Sequence, residues 1–92
     1  MTVQEAIQRN LLIAAPKPDY PYEARSRRMT GGGVYDLVFD FETGNLREVH
    51  VVKNIDDRTL SGYAIGALKL WKAKPHSIHV LRVPLSFNMR GA

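Results

Sequence analysis

Three sets of residues have side chains suited to chemistry: His50, His76 and His79, the carboxylates Asp36 and Asp40, and the glycine run 31–33. Histidines bind transition metals when a carboxylate or thiolate completes the set. Here His76 and His79 fall in a loop and at a strand start, no acidic residue completes a set, and the chain has no cysteine. That also excludes a disulfide. Paired carboxylates can share acid and base roles, but exposed strand positions account for Asp36 and Asp40, and nothing around them suggests a pocket. The segment "TGGGVYD" leads into a strand, whereas a phosphate loop needs a following helix and usually a lysine. No Ser/His/Asp or Cys/His arrangement stands out. The reading is no enzyme, no metal and no cofactor.

Charge adds little. The net charge of +4 permits nucleic acid, anionic glycan or phospholipid as partner without arguing for any of them. Arg25, Arg27 and Arg28, near Lys17, form a short basic run, which reads as a solvated helix face. With 92 residues, of which 45% are hydrophobic, the chain is expected to form one globular domain. It has no apolar run of 18 residues and no basic-then-apolar start, so any anchor or leader is expected outside it.

The elements follow from spacing. "VQEAIQRNLLI" predicts a short N-terminal helix within residues 1–15, with Val3, Ile7 and Leu11 on one face and Ala6 beside it. The prolines of 16–21 make an extended strap, and 22–89 form the core. "YEARSRRM" predicts a turn or two of helix, ended by Gly31–Gly33. "VYDLVFDF" alternates as a half-buried strand, with Tyr35, Leu37, Phe39 and Phe41 to one side, and "LREVHVVKN" pairs with it as a hairpin. Asp56, Asp57 or Thr59 caps a helix running to about Lys72. Leu60, Ala64, Ala67, Leu68 and Trp71 line one face of that helix, and Gly62 and Gly66 lie off it. Pro75 stops it. "HVLRVPLSFNM" is the last strand.

The order β-β-α-β narrows the topology. A helix between the second and third strands makes a crossover, so those two run parallel. Placing the apolar first strand between them makes every neighbouring pair antiparallel. The expected fold is therefore α+β: a three-stranded antiparallel sheet in the order 2-1-3, one main helix on one face, and short N-terminal helices. The expected core includes Leu37, Phe39, Leu60, Ala64, Leu68 and Trp71. The last strand lies on an edge, where Pro84, lacking an amide donor, is tolerated.

These residues resemble a known family. Leu60, Ala64, Ala67, Leu68, Trp71, Lys72 and Pro75 are similar to the helix signature of the TonB C-terminal domain family. Pro18, Tyr20, Pro21, Ala24 and Arg25 resemble its P-x-Y-P-x-x-A-R segment, "FDFETG" its D-x-x-T-G hairpin, and Val83, Pro84 and Phe87 its closing V-P-V-x-F strand. The matches keep their order from about residue 16 to 89. Ser61 and Ala73 depart from the pattern, which has Asp and Phe there.

The resemblance implies a periplasmic domain of an inner-membrane-anchored energy transducer. Such a domain grips the TonB box of an outer-membrane transporter by adding the peptide to a sheet edge, while inner-membrane motor proteins, reached through an anchor absent from this chain, supply the pull. The implied peptide site is the last strand, Val80, Leu81, Arg82, Val83, Leu85, Ser86, Phe87 and Asn88, braced by Lys17, Pro18 and Tyr20 of the strap. The alternative is a module of the same fold, differently tethered, serving another envelope or signalling system. A nucleic-acid partner is not expected, because Tyr35, Phe39, Phe41 and Phe87 fall on apolar faces. The open edge also allows a homodimer.

Overall fold

The computed structural model describes residues 1–18, 22, 26–28 and 30–87. The chain runs α1 (Val3–Gln8), β1 (Leu12–Ala14), β2 (Gly31–Phe39), β3 (Leu46–Lys53), α2 (Arg58–Leu68), β4 (Lys72–Ala73) and β5 (Val80–Phe87). The main sheet has the expected order, β3-β2-β5, antiparallel throughout, and β1 and β4 make a second, two-stranded sheet. Between β2 and β5 the register is unbroken from Gly31↔Phe87 to Val38↔Val80. Between β2 and β3 it shifts twice.

Alternation dictates the two faces of the sheet. Tyr35, Leu37 and Phe39 of β2 and Leu81, Val83 and Phe87 of β5 are buried. Leu60, Ala64 and Leu68 of α2 complete this core with Ala6, Ile55, Trp71, Ala73 and Ile78. All six residues expected in the core are there. The helix starts where a cap is available: Asp57 accepts a hydrogen bond from the Leu60 amide at 3.0 Å. Gly62 and Gly66 are exposed, and a Cβ on either would meet nothing within 4 Å among the described residues.

Several elements differ from expectation. The N-terminal helix stops at Gln8 because Asn10 takes up a left-handed φ of 55°, a conformation Asn tolerates. Residues 12–14 then pair with β4 instead of continuing the helix. Ala6 is buried rather than Ile7, which is 61% exposed. Gly31–Gly33 do not terminate a helix; they open β2, paired with Leu85–Phe87. A Cβ on Gly33 would lie 2.8 Å from the Lys53 carbonyl oxygen, so the close approach of β3 requires glycine there.

β2 ends at Phe39, two residues short of Phe41, because Asp40 turns the chain. Its carboxylate accepts from the Glu42 amide at 2.9 Å and its carbonyl from Gly44 at 2.7 Å. The main helix ends at Leu68 rather than near Lys72. Leu70 and Trp71 bond back three residues, to Ala67 and Leu68, and the chain leaves to form β4. The helix predicted at "YEARSRRM" and the strap residues 19–21 lie largely or wholly outside the described residues, as do residues 88–92.

Candidate peptide-binding edge

β5 is an edge strand, and its hydrogen-bonding phase can be worked out. The Phe39 amide donates to the His79 carbonyl at 2.9 Å, in register with the ladder. Hydrogen-bonded pairs alternate with non-bonded ones in an antiparallel ladder. Leu81, Val83, Leu85 and Phe87 therefore turn their backbone groups towards β2. Val80, Arg82, Pro84 and Ser86 turn theirs to the open edge. The outward donors are the amides of Val80, Arg82 and Ser86, because Pro84 has none. All four outward residues keep a carbonyl facing out. Pro84 thus sits where it costs the sheet nothing.

Side chains divide the same way. Leu81, Val83 and Phe87 are buried on the α2 side and Leu85 is half-buried there, while Val80, Arg82, Pro84 and Ser86 are exposed on the opposite face. On that face Arg82 reaches across to Asp36, with Nε 2.9 Å from Oδ1 and Nη2 3.1 Å from Oδ2. The forked pair fits carboxylate geometry. The hydrogen bonds from Arg82 hold the Asp36 carboxyl below its ordinary value, with the guanidinium charge adding to them. The same contact raises Arg82.

A carboxylate with a lowered folded pKa contributes stability above its unfolded value, near 3.8, and loses it as pH falls through the folded value. Asp36→Asn is therefore expected to be slightly less stable than the native chain at pH 6 and to converge with it as pH falls through the lowered Asp36 value. Parallel thermal melts across that range test this. A gap that persists at the acid end would show that the pair has no part in it.

The other residues considered for chemistry have separate partners. Asp40 caps the turn, so Asp36 and Asp40 do not act as a pair. His50 contacts Glu48, and His76 lies 3.6 Å from Glu42. His79 stacks on Phe41 at 4.1 Å, and His76 meets the same ring edge-on. Among the described residues no group of three or more His, Asp or Glu is arranged to hold a metal. Tyr35, Phe39 and Phe87 are buried, so they offer no stacking platform for bases.

Pro16 and Lys17, which begin the strap, lie away from β5. Trp71 Nε1 donates to the Pro16 carbonyl at 2.9 Å. Pro16 and Lys17 line an open groove on the outer face of α2 with Arg58, Tyr63, Ala67 and Leu70, and no β5 residue contributes to its lining. Pro18 is half-buried. Tyr20 and Asn88 are outside the described residues. One neighbour of the edge had no signal in the sequence: Thr2 bridges Arg82 as a parallel partner, and the Arg82 amide reaches the Met1 carbonyl at 3.4 Å.

Comparison with known proteins agrees with this architecture. Residues 16–90 match the family described as Gram-negative bacterial TonB protein C-terminal. Protein TonB of Vibrio cholerae serotype O1 (strain ATCC 39315 / El Tor Inaba N16961) is 29% identical over 87 residues, covering 88% of this chain and 35% of that protein. This chain thus spans about a third of that relative's length. The solution NMR structure of the Pseudomonas aeruginosa TonB CTD superposes with a TM-score of 0.70 at 16% identity, covering 88% of this chain and 87% of that one, and so has the same fold. With its sheet order, its helix and the family match over most of its length, the chain belongs to the TonB C-terminal domain family.

Proposed function

We propose that this chain is the peptide-gripping domain of a TonB-type energy transducer. It pairs the TonB box of an outer-membrane transporter with the outer edge of β5, by strand addition. The observation that carries the reading is the phase of β5: Val80, Arg82 and Ser86 direct their amides outward, beside an exposed row of side chains. In this reading the whole protein is anchored in the inner membrane, the domain works in the periplasm, and motor proteins pull on it. The domain performs no catalytic step. Net hydrogen bonds of roughly 0.5–1.5 kcal/mol each give a modest affinity, which suits a grip that must release.

An NMR titration with a seven-residue transporter TonB-box peptide tests this. Shifts are expected to concentrate on residues 80–87. Ser86→Pro provides the sharper test, because it removes an outward donor in the same phase as Pro84 and leaves the bonds to β2 in place. Affinity should fall by about threefold to tenfold, the loss of one hydrogen bond, with the rest of the amide spectrum unchanged. Shifts located on another surface, together with unaltered binding by the proline variant, would refute the assignment to β5. Edge-to-edge dimers would use the same groups, so the titration is run where sedimentation shows a monomer.

A further inference from the structure

The outer edge of β5 is not vacant. Of its outward donors, Arg82 is the central one, with Val80 on one side and Ser86 beyond Pro84 on the other. It is the Arg82 amide that reaches the Met1 carbonyl, at 3.4 Å, and Thr2 that bridges Arg82 in parallel. Residues 1 and 2 therefore occupy the place an added peptide strand would take. They are held there from behind. Ala6 is fully buried in the core and Val3 packs against it, and the Leu11 carbonyl accepts a bond from the Lys74 amide at 2.8 Å.

The contact is weak. Helix geometry begins at Val3, and Met1 and Thr2 are the strand-like residues of this chain before it. The bond at 3.4 Å is beyond the usual range for an amide donor. Thr2 has a second task, because its Oγ accepts from the Glu5 amide at 3.2 Å and so caps α1. A chain entering the edge at Arg82 must displace Met1 and Thr2. The rest of α1 can stay seated through Ala6.

Resting on the peptide-binding reading above, we propose that Met1–Thr2 is a built-in cover of the β5 edge, which competes with the partner peptide for the Arg82 amide. Only molecules with the cover lifted bind, so the apparent dissociation constant is the intrinsic one divided by the lifted fraction. A weak cover of this kind protects an exposed edge from pairing with another edge, and yields to a strand that also engages Val80 and Ser86. Peptide binding at β5 is thereby linked to loss of the α1 cap.

The absence of cysteine makes the test clean. Bridged neighbours on adjacent strands lie about 4.8 Å apart, within the Cα range of a disulfide, so Thr2→Cys with Arg82→Cys can lock the cover down. The same protein after reduction is its own reference. The oxidised form is expected to bind the TonB-box heptapeptide at least tenfold more weakly than the reduced form. In the opposite direction, Val3→Pro places proline at the first helical position, which favours it, and removes the amide next to the bridge. It should bind about threefold to tenfold more tightly than the native chain.

Equal binding by oxidised and reduced forms overturns the cover and leaves the peptide reading standing. Failure of the native chain and of Val3→Pro to bind at all overturns the peptide reading, and the competition with it. A measurement without peptide decides the case where the cross-linked chain does not fold. The Arg82 amide should exchange more slowly than the Val80 and Ser86 amides, and lose that protection in Val3→Pro. Exchange at Arg82 as fast as at its two outward neighbours in the native chain overturns the cover.

Discussion

Replacing Trp71 with alanine is expected to cost the domain about 3–5 kcal/mol, the range for deleting a buried large aromatic. The ring is only 6% exposed and belongs to the core. It also fastens two distant parts of the chain, because its Nε1 donates to the carbonyl of Pro16. Deleting it opens a cavity in that core and takes away that carbonyl's donor. A domain of this size has roughly 5–14 kcal/mol in total, so the loss is a large share. The melting temperature should fall by about 15 °C or more. Trp71→Phe separates the two contributions. It keeps most of the apolar volume and loses the hydrogen bond, so a smaller cost of about 1–2 kcal/mol is expected. Urea unfolding followed by circular dichroism gives both values, since the variants lack the only tryptophan. A Trp71→Ala unfolding free energy within about 1 kcal/mol of the native chain's would mean that the ring does not close the core.

Gly44→Ala should be nearly as damaging, for a different reason. Gly44 has a φ of 80° in the turn between β2 and β3, where a side chain costs about 1–2 kcal/mol. The larger difficulty is space. A Cβ built there would lie 2.0 Å from the carbonyl oxygen of Ala73 and 2.9 Å from its carbon. Those are backbone atoms, so no rotamer change relieves the clash. The contact also carries a bond, since the Ala73 amide donates to the Gly44 carbonyl at 2.9 Å. Strain and overpacking together should cost about 3 kcal/mol or more. If the turn relaxes by moving away, the Ala73 amide should lose its protection in hydrogen exchange while β2 and β5 keep theirs. A variant with native stability and an intact Ala73 amide would show that the turn and β4 are not locked together.

The sheet order was legible because three independent constraints agreed. The connecting helix forced β3 and β5 to run parallel, the apolar character of β2 placed it in the centre, and Pro84 marked an edge. The stripe of Leu60, Ala64 and Leu68 was equally plain, since only a helical period brings them together. Trp71 fitted the same period and was read as part of the helix. It lies past the end because pairing at β4 drew the chain away, a tertiary effect that spacing does not record. The glycines at 31–33 looked like punctuation because glycine weakens strands. Pairing with Leu85–Phe87 and the close approach to Lys53 outweighed that cost. Ile55 and Ile78 are buried in the core but stand alone among polar neighbours, so no periodicity marked them. Within the candidate site, the outward phase of β5 needed only the strand assignment and Pro84. The contact of Met1 and Thr2 with Arg82 is long-range, and nothing in the residue types announces it.

The unbroken register between β2 and β5 also has a mechanical consequence. Ladder bonds lie across the strand axis. Tension running along β5 therefore loads the pairs from Gly31↔Phe87 to Val38↔Val80 together, in shear, whereas a perpendicular pull would open them one after another. A peptide laid along the outer side would hang on the few donors that face it, with a gap at Pro84. In the proposed peptide-gripping role, that outer joint would slip first under load. The domain would then act as a clutch whose sacrificial surface is on the outside, letting go repeatedly without tearing a strand from its own sheet.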